Sequence, residues 1–187
     1  VMTDILDGKY NAKKMSIEQI DSVLGNSDNG RFRLEYENKQ QLFRRSFIAD
    51  YYIVDTQKNT RKHLSDTLVR DAVLSPNGKY IAFAKGNNLY LHKLDFGTEV
   101  AVTRDDNPEI INGIADWLYE EEFGITCMFA FSPDSKQLAF VRLDETQVPT
   151  FSWQEFLSTT YPREQSLRYP KAGEPNAKVS VCVYDIK

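Results

Sequence analysis

Three consecutive carboxylates lie in the middle of the chain, within the sequence DWLYEEEFG of residues 116–124. Glu120, Glu121 and Glu122 have aromatic and aliphatic neighbours, whereas an acidic run on a solvated face is normally flanked by Lys, Ser or Gln. Two carboxylates held side by side at a partly dry site suit one cation that carries several hydrogen-bond donors. The stretch therefore predicts a cation-binding site, and a solvated acidic helix is the alternative interpretation.

A primary ammonium group matches two of these carboxylates, because its three N–H donors can be shared between them. A metal ion is the other candidate, but oxygen-rich calcium sites need more ligands than this stretch offers. The sequence has neither a Gly-rich phosphate loop nor a His/Asp cluster at metal-ligand spacing. We therefore expect no metal and no cofactor.

Nucleophilic hydrolysis requires a Ser, a His and an acid that meet in space. The sequence lacks a Gly-x-Ser-x-Gly elbow, since GNSDNG at residues 25–30 has one residue too many and is typical of a turn. Of the two histidines, His63 follows a charged turn and His92 lies in an apolar strand pattern, and we interpret both as surface or structural groups rather than a catalytic base. We therefore expect no catalytic residue in this chain.

A short helix can present the acidic run. Asp116 can cap its N-terminus and Gly124 can end it, which leaves Trp117 to Phe123 as about two turns. Successive helix positions are about 100° apart, so two neighbouring carboxylates can share one side while the third points elsewhere. The apolar neighbours would anchor the helix against the domain.

From about residue 30 the apolar pattern has a period of two, which is typical of strands. Phe32, Leu34 and Tyr36 alternate with polar residues, and further strands are predicted over residues 41–47 and 51–54. The periodicity fades over residues 146–176, which are rich in proline and aromatic residues and predict a long ordered connection. Residues 1–25 predict a lead-in segment, with a short helix or turn near residues 15–20.

The strand pattern contains a repeat. SPNGKYIAFAK at residues 75–85 aligns without gaps on SPDSKQLAFVR at residues 132–142, and each copy is a turn that leads into a strand. Second alternating strands recur at residues 52–55, 88–94 and 179–185. Several short strands repeating every 40–60 residues or so indicate β-propeller blades, with hairpins of a β-sandwich as the alternative.

About three blade-sized units fit the chain, whereas propellers close with about four to eight blades. An open propeller leaves unpaired strand edges, which a stable monomer should not tolerate. The predicted fold is therefore all-β, a partial β-propeller of about three blades with a short helix that carries the acidic motif. We assign residues 26–187 to this domain and expect it to be part of a longer protein.

Composition excludes some partners. The formal net charge is −4 and the basic residues form no stripe, so a nucleic-acid partner is not expected. No apolar run approaches the ~20 residues that span a bilayer, so we expect no membrane segment in this chain. The two cysteines, Cys127 and Cys182, lie in strand-like apolar contexts and predict buried free thiols, with a disulfide as the alternative.

The sequence NGIADWLYEEEF at residues 112–123 closely resembles the double-Glu motif of the dipeptidyl peptidase IV family. FRRSF at residues 43–47 resembles that family's Arg-containing strand. The YEEE motif is the most specific part of a resemblance that covers essentially the whole chain. Its other parts are residues 52–55, 132–140, 148–149 and 169–173, and residues 4–10, which resemble the opening of bacterial members.

The resemblance implies the N-terminal portion of a propeller that is paired, in this family, with an α/β-hydrolase domain carrying a Ser-Asp-His triad. Family members are serine exopeptidases that remove X-Pro and X-Ala dipeptides from free N-termini. The resemblance also implies that Glu121 and Glu122 bind the substrate α-ammonium and that Arg44 holds a substrate carbonyl. Arg45 is the alternative to Arg44, because a register slip of one residue would exchange their faces.

The same resemblance implies peptide substrates, the chain's own C-terminal hydrolase domain and a second copy in a homodimer as partners. It also implies a periplasmic or secreted location. By itself the chain should be inactive, because it has no triad. The alternative from another class is a non-catalytic propeller that binds peptide N-termini or a protein partner, since some relatives have lost the serine.

Overall fold

The structure, a computed structural model, describes residues 25–26, 30–156 and 160–187. Antiparallel strands form nearly all the regular structure in these ranges, and one short helix interrupts them. The predicted all-β class is therefore confirmed. The predicted lead-in falls almost entirely outside the described residues, as does the helix or turn near residues 15–20, so both stay predictions.

The first sheet is a meander of four strands. It comprises β1 (Gly25–Asn26), β2 (Phe32–Gln41), β3 (Phe47–Asp55) and β4 (Thr60–His63), paired in that order. Phe32, Leu34 and Tyr36 are buried on one face of β2, as their alternation predicts.

One strand prediction in this sheet is wrong. No strand runs over residues 41–47: β2 ends at Gln41, residues 43–45 form a bend, and β3 begins at Phe47. The backbone N–H of Leu42 donates to the carbonyl of Ser46 at 2.9 Å and closes this connection as a tight turn. Arg44 therefore lies in the β2–β3 loop and not on a strand.

The second sheet is also a four-stranded meander. It consists of β5 (Arg70–Leu74), β6 (Tyr80–Lys85), β7 (Asn88–Lys93) and β8 (Thr98–Ala101). The repeated Ser-Pro turn precedes β6, where Ser75 Oγ accepts from the backbone N–H of Tyr80 at 2.9 Å. Ser132 does the same for Gln137 at 3.0 Å, so the sequence repeat is also a structural repeat.

The third sheet is built around β11 (Gln137–Asp144). One edge of β11 pairs with β14 (Lys178–Asp185), and the other pairs end to end with β9 (Ile110–Asn112) and β10 (Phe129–Phe131). The helix α1 (Trp117–Phe123) is inserted between β9 and β10. It is therefore an excursion from an interrupted edge of the sheet.

The connection predicted over residues 146–176 contains regular structure that the sequence pattern did not reveal. β12 (Thr150–Glu155) and β13 (Arg163–Arg168) pair as an antiparallel hairpin between β11 and β14. Most of its residues are exposed, including Phe151, Trp153, Phe156 and Tyr161. The usual alternation of buried and exposed residues is missing because the hairpin projects from the sheet.

Apolar clusters join the sheets in chain order. One contains Leu34 and Tyr51 of the first sheet with Phe83 of the second. Another contains Leu89 and Leu91 of the second sheet with Leu138 and Phe140 of the third, among others. Burying each large apolar side chain contributes about 1.5–3 kcal/mol. Three sheets that pack successively face to face form a partial β-propeller of about three blades, as predicted, rather than a two-sheet sandwich.

In the described part of the chain, no helical segment combines the length and apolar character that crossing a bilayer would require.

Candidate functional site

The helix α1 begins and ends where the sequence predicts. Asp116 is its N-cap, and its Oδ1 accepts from the backbone N–H of Tyr119 at 2.7 Å. Gly124 ends the helix in the left-handed conformation, with φ of 68°, and its N–H donates to the carbonyl of Glu120 at 3.0 Å. The cap and the C-terminal glycine thus fix a helix that is too short to be stable alone.

Contacts on both sides of α1 anchor it to the sheets. Ile114 forms an antiparallel bridge with Cys127, which closes the base of the excursion. From β5, the Nη2 of Arg70 donates to the carbonyl of Thr126 at 3.3 Å, and Asp71 Oδ1 accepts from the Thr126 hydroxyl at 3.0 Å. The second blade therefore holds the segment that follows the helix.

The three glutamates of α1 have different environments. Glu120 is completely buried, with 0% exposure. The side chain of Glu121 is 16% exposed, and Glu122 is exposed. The angular separation predicted for the run is thus observed, and Glu120 is the member that turns away from solvent.

Glu120 binds the β2–β3 loop. Its Oε1 accepts from the backbone N–H groups of Arg45 at 2.7 Å and Ser46 at 2.9 Å. Burial tends to raise the pKa of Glu120, but the hydrogen bonds from Ser46 and Arg45 outweigh it, so the pKa lies below its ordinary value. Glu120 is therefore a charged group whose partners belong to another blade.

Arg44, in the same loop, forms an ion pair with Glu121. Its Nε lies 3.0 Å from Glu121 Oε2, while its side chain remains 71% exposed. Arg45 points to a different place: its Nη1 donates to the carbonyl of Glu120 at 3.0 Å, at the C-terminal end of α1. A cation there complements the helix dipole. Of the two arginines, Arg44 is the one beside the acidic pair.

Glu122 follows Glu121 in α1 and is exposed, whereas the Glu121 side chain is mostly buried. Within the described residues, no ion pair or hydrogen bond is found for its carboxylate. The structure thus brings two of the predicted site residues, Arg44 and Glu121, into contact and leaves Glu122 adjacent, without a partner in the part of the chain that the structure describes. The arrangement can hold one more positive group.

A cavity of about 580 Å³ opens beside the start of α1. Phe43 of the β2–β3 loop, Asp116 and Trp117 contribute to its wall, whereas Arg44, Glu121 and Glu122 do not. The predicted site residues therefore form a surface group next to this cavity.

Two carboxyl groups of the cavity wall are perturbed. Burial raises the pKa of Glu145 to about 7, and the nearby charge of Asp116 adds to this. Burial also raises the pKa of Asp116, against the effect of the helix N–H groups that it caps. Arg70 and Arg168 line the same cavity but pair with Asp71 and Glu109, respectively.

Glu120, Ser46 and Glu145 were not predicted as part of the site. For Glu120, the sequence offers only its position one helical turn after the predicted cap Asp116, which is weak evidence that it shares a face with the cap. The tight turn of residues 43–45 and the burial of Glu145 depend on long-range contacts, and no local pattern indicates them.

The remaining sequence candidates lie apart from this group. Cys127 and Cys182 are free, as predicted, but each is only partly buried. Burial raises the pKa of Cys127 to about 11. His63 packs against the ring of Tyr52 at 4.4 Å, and His92 is buried, which lowers its pKa. Across the described residues, no group of three or more His, Cys, Asp or Glu side chains could hold a metal ion.

The chain is similar to known proteins over most of its length. A family model described as the dipeptidyl peptidase IV (DPP IV) N-terminal region matches residues 27–187. A probable dipeptidyl peptidase 4 of Emericella nidulans is 41% identical over 158 residues, covering 80% of this chain and 20% of the relative. A probable dipeptidyl-aminopeptidase B of the same organism is 37% identical over 166 residues, covering 80% of this chain and 18% of the relative.

Among solved structures, the crystal structure of Porphyromonas gingivalis dipeptidyl peptidase 4 matches with a TM-score of 0.83 and 36% sequence identity. The match covers 93% of this chain and 25% of that chain. The chain spans about a fifth of the length of the curated relatives that it matches. The family resemblance seen in the sequence is thereby confirmed.

Proposed function

The chain belongs to the dipeptidyl peptidase IV family, as part of that family's N-terminal region, and from this premise we propose that it binds the N-terminus of a peptide substrate. Glu121 and Glu122 bind the α-ammonium group, and Arg44 binds a substrate carbonyl oxygen. The observation that carries the proposal is the Arg44–Glu121 ion pair beside the carboxylate of Glu122, which has no partner among the described residues.

The charges of this group suit an N-terminus. An α-ammonium has a pKa of about 7.7–8.0, so most of it is charged at neutral pH. Its three N–H donors can be divided between the carboxylates of Glu121 and Glu122. Because Arg44 already offsets one of the two negative charges, an ammonium that reaches Glu122 and shares Glu121 leaves the group close to electrically balanced.

Arg44 has the donors that a carbonyl oxygen needs. Its Nε faces Glu121, and for its terminal nitrogens the described residues provide no ion-pair partner. A guanidinium stays protonated at any physiological pH and offers five donors in a fixed plane. With Glu121 orienting that plane, the terminal nitrogens are available to the first carbonyl of a bound peptide.

Fixing the ammonium also sets where a peptide would be cut. Two extended residues span at most ~7 Å, so a nucleophile at that distance attacks the bond after the second residue. The full-length protein would thus be a serine-type exopeptidase that releases X-Pro or X-Ala dipeptides. Its nucleophile and triad would lie in a hydrolase domain outside this chain, which would be inactive alone.

Two further properties follow from the family as proposals. The full-length protein forms a homodimer, and the exposed apolar residues of the β12–β13 hairpin, such as Phe156 and Tyr161, are one surface available for it. Its location is periplasmic or secreted.

The test is steady-state kinetics of the full-length protein on an X-Pro substrate with a free N-terminus. Each charge-assisted hydrogen bond contributes about 1.5–3 kcal/mol, so Glu121→Gln or Glu122→Gln should lower kcat/KM by at least about tenfold. Glu174→Gln is the matched control, because Glu174 is exposed and lies in the loop before β14. An N-acylated substrate should not be cleaved by any of these proteins.

If Glu121→Gln and Glu122→Gln both keep kcat/KM within twofold of the control, the proposed role of the pair is wrong. If the unaltered protein binds peptides with a free N-terminus but turns none over, it is instead a binding propeller. Both outcomes are read from the same preparations.

A further inference from the structure

Glu120 is a buried carboxylate that the proposed reaction does not use. It is 0% exposed and is the single buried residue of α1. A carboxylate that loses its water costs several kcal/mol unless charged or hydrogen-bonded partners replace that water. The contacts that replace water at Glu120 therefore reveal what it holds in place.

Among the described residues, the hydrogen-bond donors to its side chain lie in the β2–β3 loop. Oε1 accepts from the backbone N–H groups of two consecutive residues, Arg45 and Ser46. Its backbone carbonyl accepts from the Arg45 guanidinium as well as from Gly124. Glu120 thus binds this loop through both its side chain and its main chain.

The other carboxylate oxygen, Oε2, is buried without a hydrogen-bond partner of standard geometry among the described residues, and so is Ser46 Oγ. Oε1 alone therefore carries the well-formed side-chain contacts.

These contacts set the relative position of two charged groups. Arg45 is bound by Glu120, and the residues that immediately precede and follow them, Arg44 and Glu121, form the ion pair at 3.0 Å. The β2–β3 loop and α1 are thus joined by two adjacent contacts, the buried hydrogen bond between Arg45 and Glu120 and the more exposed ion pair between Arg44 and Glu121. Loss of the hydrogen bond between Arg45 and Glu120 would free the loop to move relative to α1.

We propose that Glu120 is a positioning residue, which fixes the β2–β3 loop against α1 so that Arg44 lies beside Glu121. It touches no substrate. This inference rests on the proposed function, because its effect is transmitted through Arg44 and the glutamate pair. A misplacement of about 1 Å at such a site can lower the rate by ~100-fold.

Two substitutions distinguish the effect of losing the hydrogen-bond acceptor from the effect of changing the size of the side chain. Glu120→Met has a similar length and no acceptor, so the N–H groups of Arg45 and Ser46 lose their partner. Glu120→Gln keeps one carbonyl oxygen for both. In the full-length protein we expect Glu120→Met to lower kcat/KM for an X-Pro substrate by roughly 10- to 100-fold. Glu120→Gln should lower kcat/KM by less than about tenfold. Its amide oxygen still accepts from both N–H groups, although a neutral acceptor forms weaker hydrogen bonds than a carboxylate.

The deciding measurement is the effect of Arg44→Ala in each background. In the unaltered protein and in Glu120→Gln, we expect Arg44→Ala to lower kcat/KM substantially. In Glu120→Met it should have little further effect, because Arg44 is already misplaced. A role limited to overall stability predicts the same Arg44→Ala factor in all three backgrounds, and that result would overturn the inference.

Failure of the proposed function gives a different result. If Arg44→Ala and Glu121→Gln leave kcat/KM unchanged in the otherwise unaltered protein, the site is wrong and not only the role of Glu120. If Glu120→Met does not fold, Glu120→Asp takes its place, since it keeps the charge but withdraws the acceptor by one methylene. If Arg44→Ala lowers kcat/KM in the folded Glu120→Asp variant by the same factor as in the unaltered protein, the inference is likewise overturned.

Discussion

The Nε of Arg44 lies 3.0 Å from Oε2 of Glu121, across the boundary between the β2–β3 loop of the first blade and the helix inserted into the third. The arginine side chain is largely exposed and that of the glutamate is mostly buried. Such an ion pair between blades contributes little to stability, because water screens the arginine. In the proposed function, the ion pair instead orients two charged groups for a third, the substrate ammonium.

This relationship predicts that Arg44 and Arg45 differ in the consequences of their loss. In the full-length protein, Arg44→Ala should leave the melting temperature nearly unchanged, with a coupling energy to Glu121→Gln below about 1 kcal/mol. Arg45→Ala should lower the melting temperature, because it removes the cation that contacts the C-terminal end of α1. Thermal unfolding of both variants tests this prediction, and an equal decrease in melting temperature in the two would contradict the distinction.

Glu145 predicts a pH dependence of stability. Its pKa in the folded protein, about 7, lies above the ordinary 4.5, so between these values the folded state binds more protons than the unfolded state. The side chain therefore costs stability progressively as pH rises from about 4.5 through 7, and the full cost is present above pH 7.

Replacing Glu145 with Gln should accordingly raise the melting temperature at pH 8, by an amount corresponding to on the order of 2–3 kcal/mol, and should change it little at pH 5. The comparison is made by thermal unfolding of the full-length protein between pH 5 and 8. Asp116→Asn is the informative companion, because asparagine also caps helices and removes the charge that acts on Glu145. A gain that does not depend on pH would show that Glu145 is not protonated in the folded state.

Gly113 should tolerate no side chain. Its φ is 75°, and an added Cβ would lie 3.1 Å from Cδ1 of Leu89 and 3.2 Å from Cδ1 of Phe129. Leu89 is completely buried and cannot easily yield. Gly113→Ala should therefore destabilise the protein by roughly 2–4 kcal/mol, from the left-handed backbone and overpacking together.

Gly97→Ala is the matched control for this prediction. Gly97 has φ of 60°, but no atom of the described residues lies within 4 Å of an added Cβ. Gly97→Ala should be destabilised only by the left-handed backbone conformation, by about 1–2 kcal/mol. Equal melting temperatures for the two variants would mean that the close contacts around Gly113 relax without cost.

The face of β14 predicts self-association of the isolated chain. Val179, Val181 and Val183 are exposed at alternate positions on one face, and β14 lies at the edge of its sheet. An apolar, unpaired edge strand is a template for pairing with another chain. Light scattering should therefore detect oligomers that grow with concentration.

Val181→Lys combined with Val183→Lys should shift this equilibrium towards monomer, because lysines on an edge strand oppose pairing. Phe96→Lys is the control, since Phe96 is 78% exposed in the turn between β7 and β8. A chain that stays monomeric at every concentration without these substitutions would refute the prediction.

Much of the local structure was determined by the sequence itself. Asp116 and Gly124 bound the helix as predicted, because a cap and a left-handed glycine act within one turn of the chain. The turns at Ser75 and Ser132 and the alternation around Leu34 are equally local. The YEEE motif identified the family, since a rare residue pattern needs no coordinates to be recognised.

Only the tertiary structure decided which partner each of these charged residues contacts. Helix geometry makes the side chains of Glu120 and Glu121 point in different directions. Which of the two is buried depends on contacts with a loop that lies 75 positions away in the sequence. Which of Arg44 and Arg45 lies beside Glu121 depends on the same contact, because the predicted strand through these arginines is a bend. The hairpin β12–β13 also escaped the pattern, since a projecting hairpin buries neither face and leaves no alternation to detect.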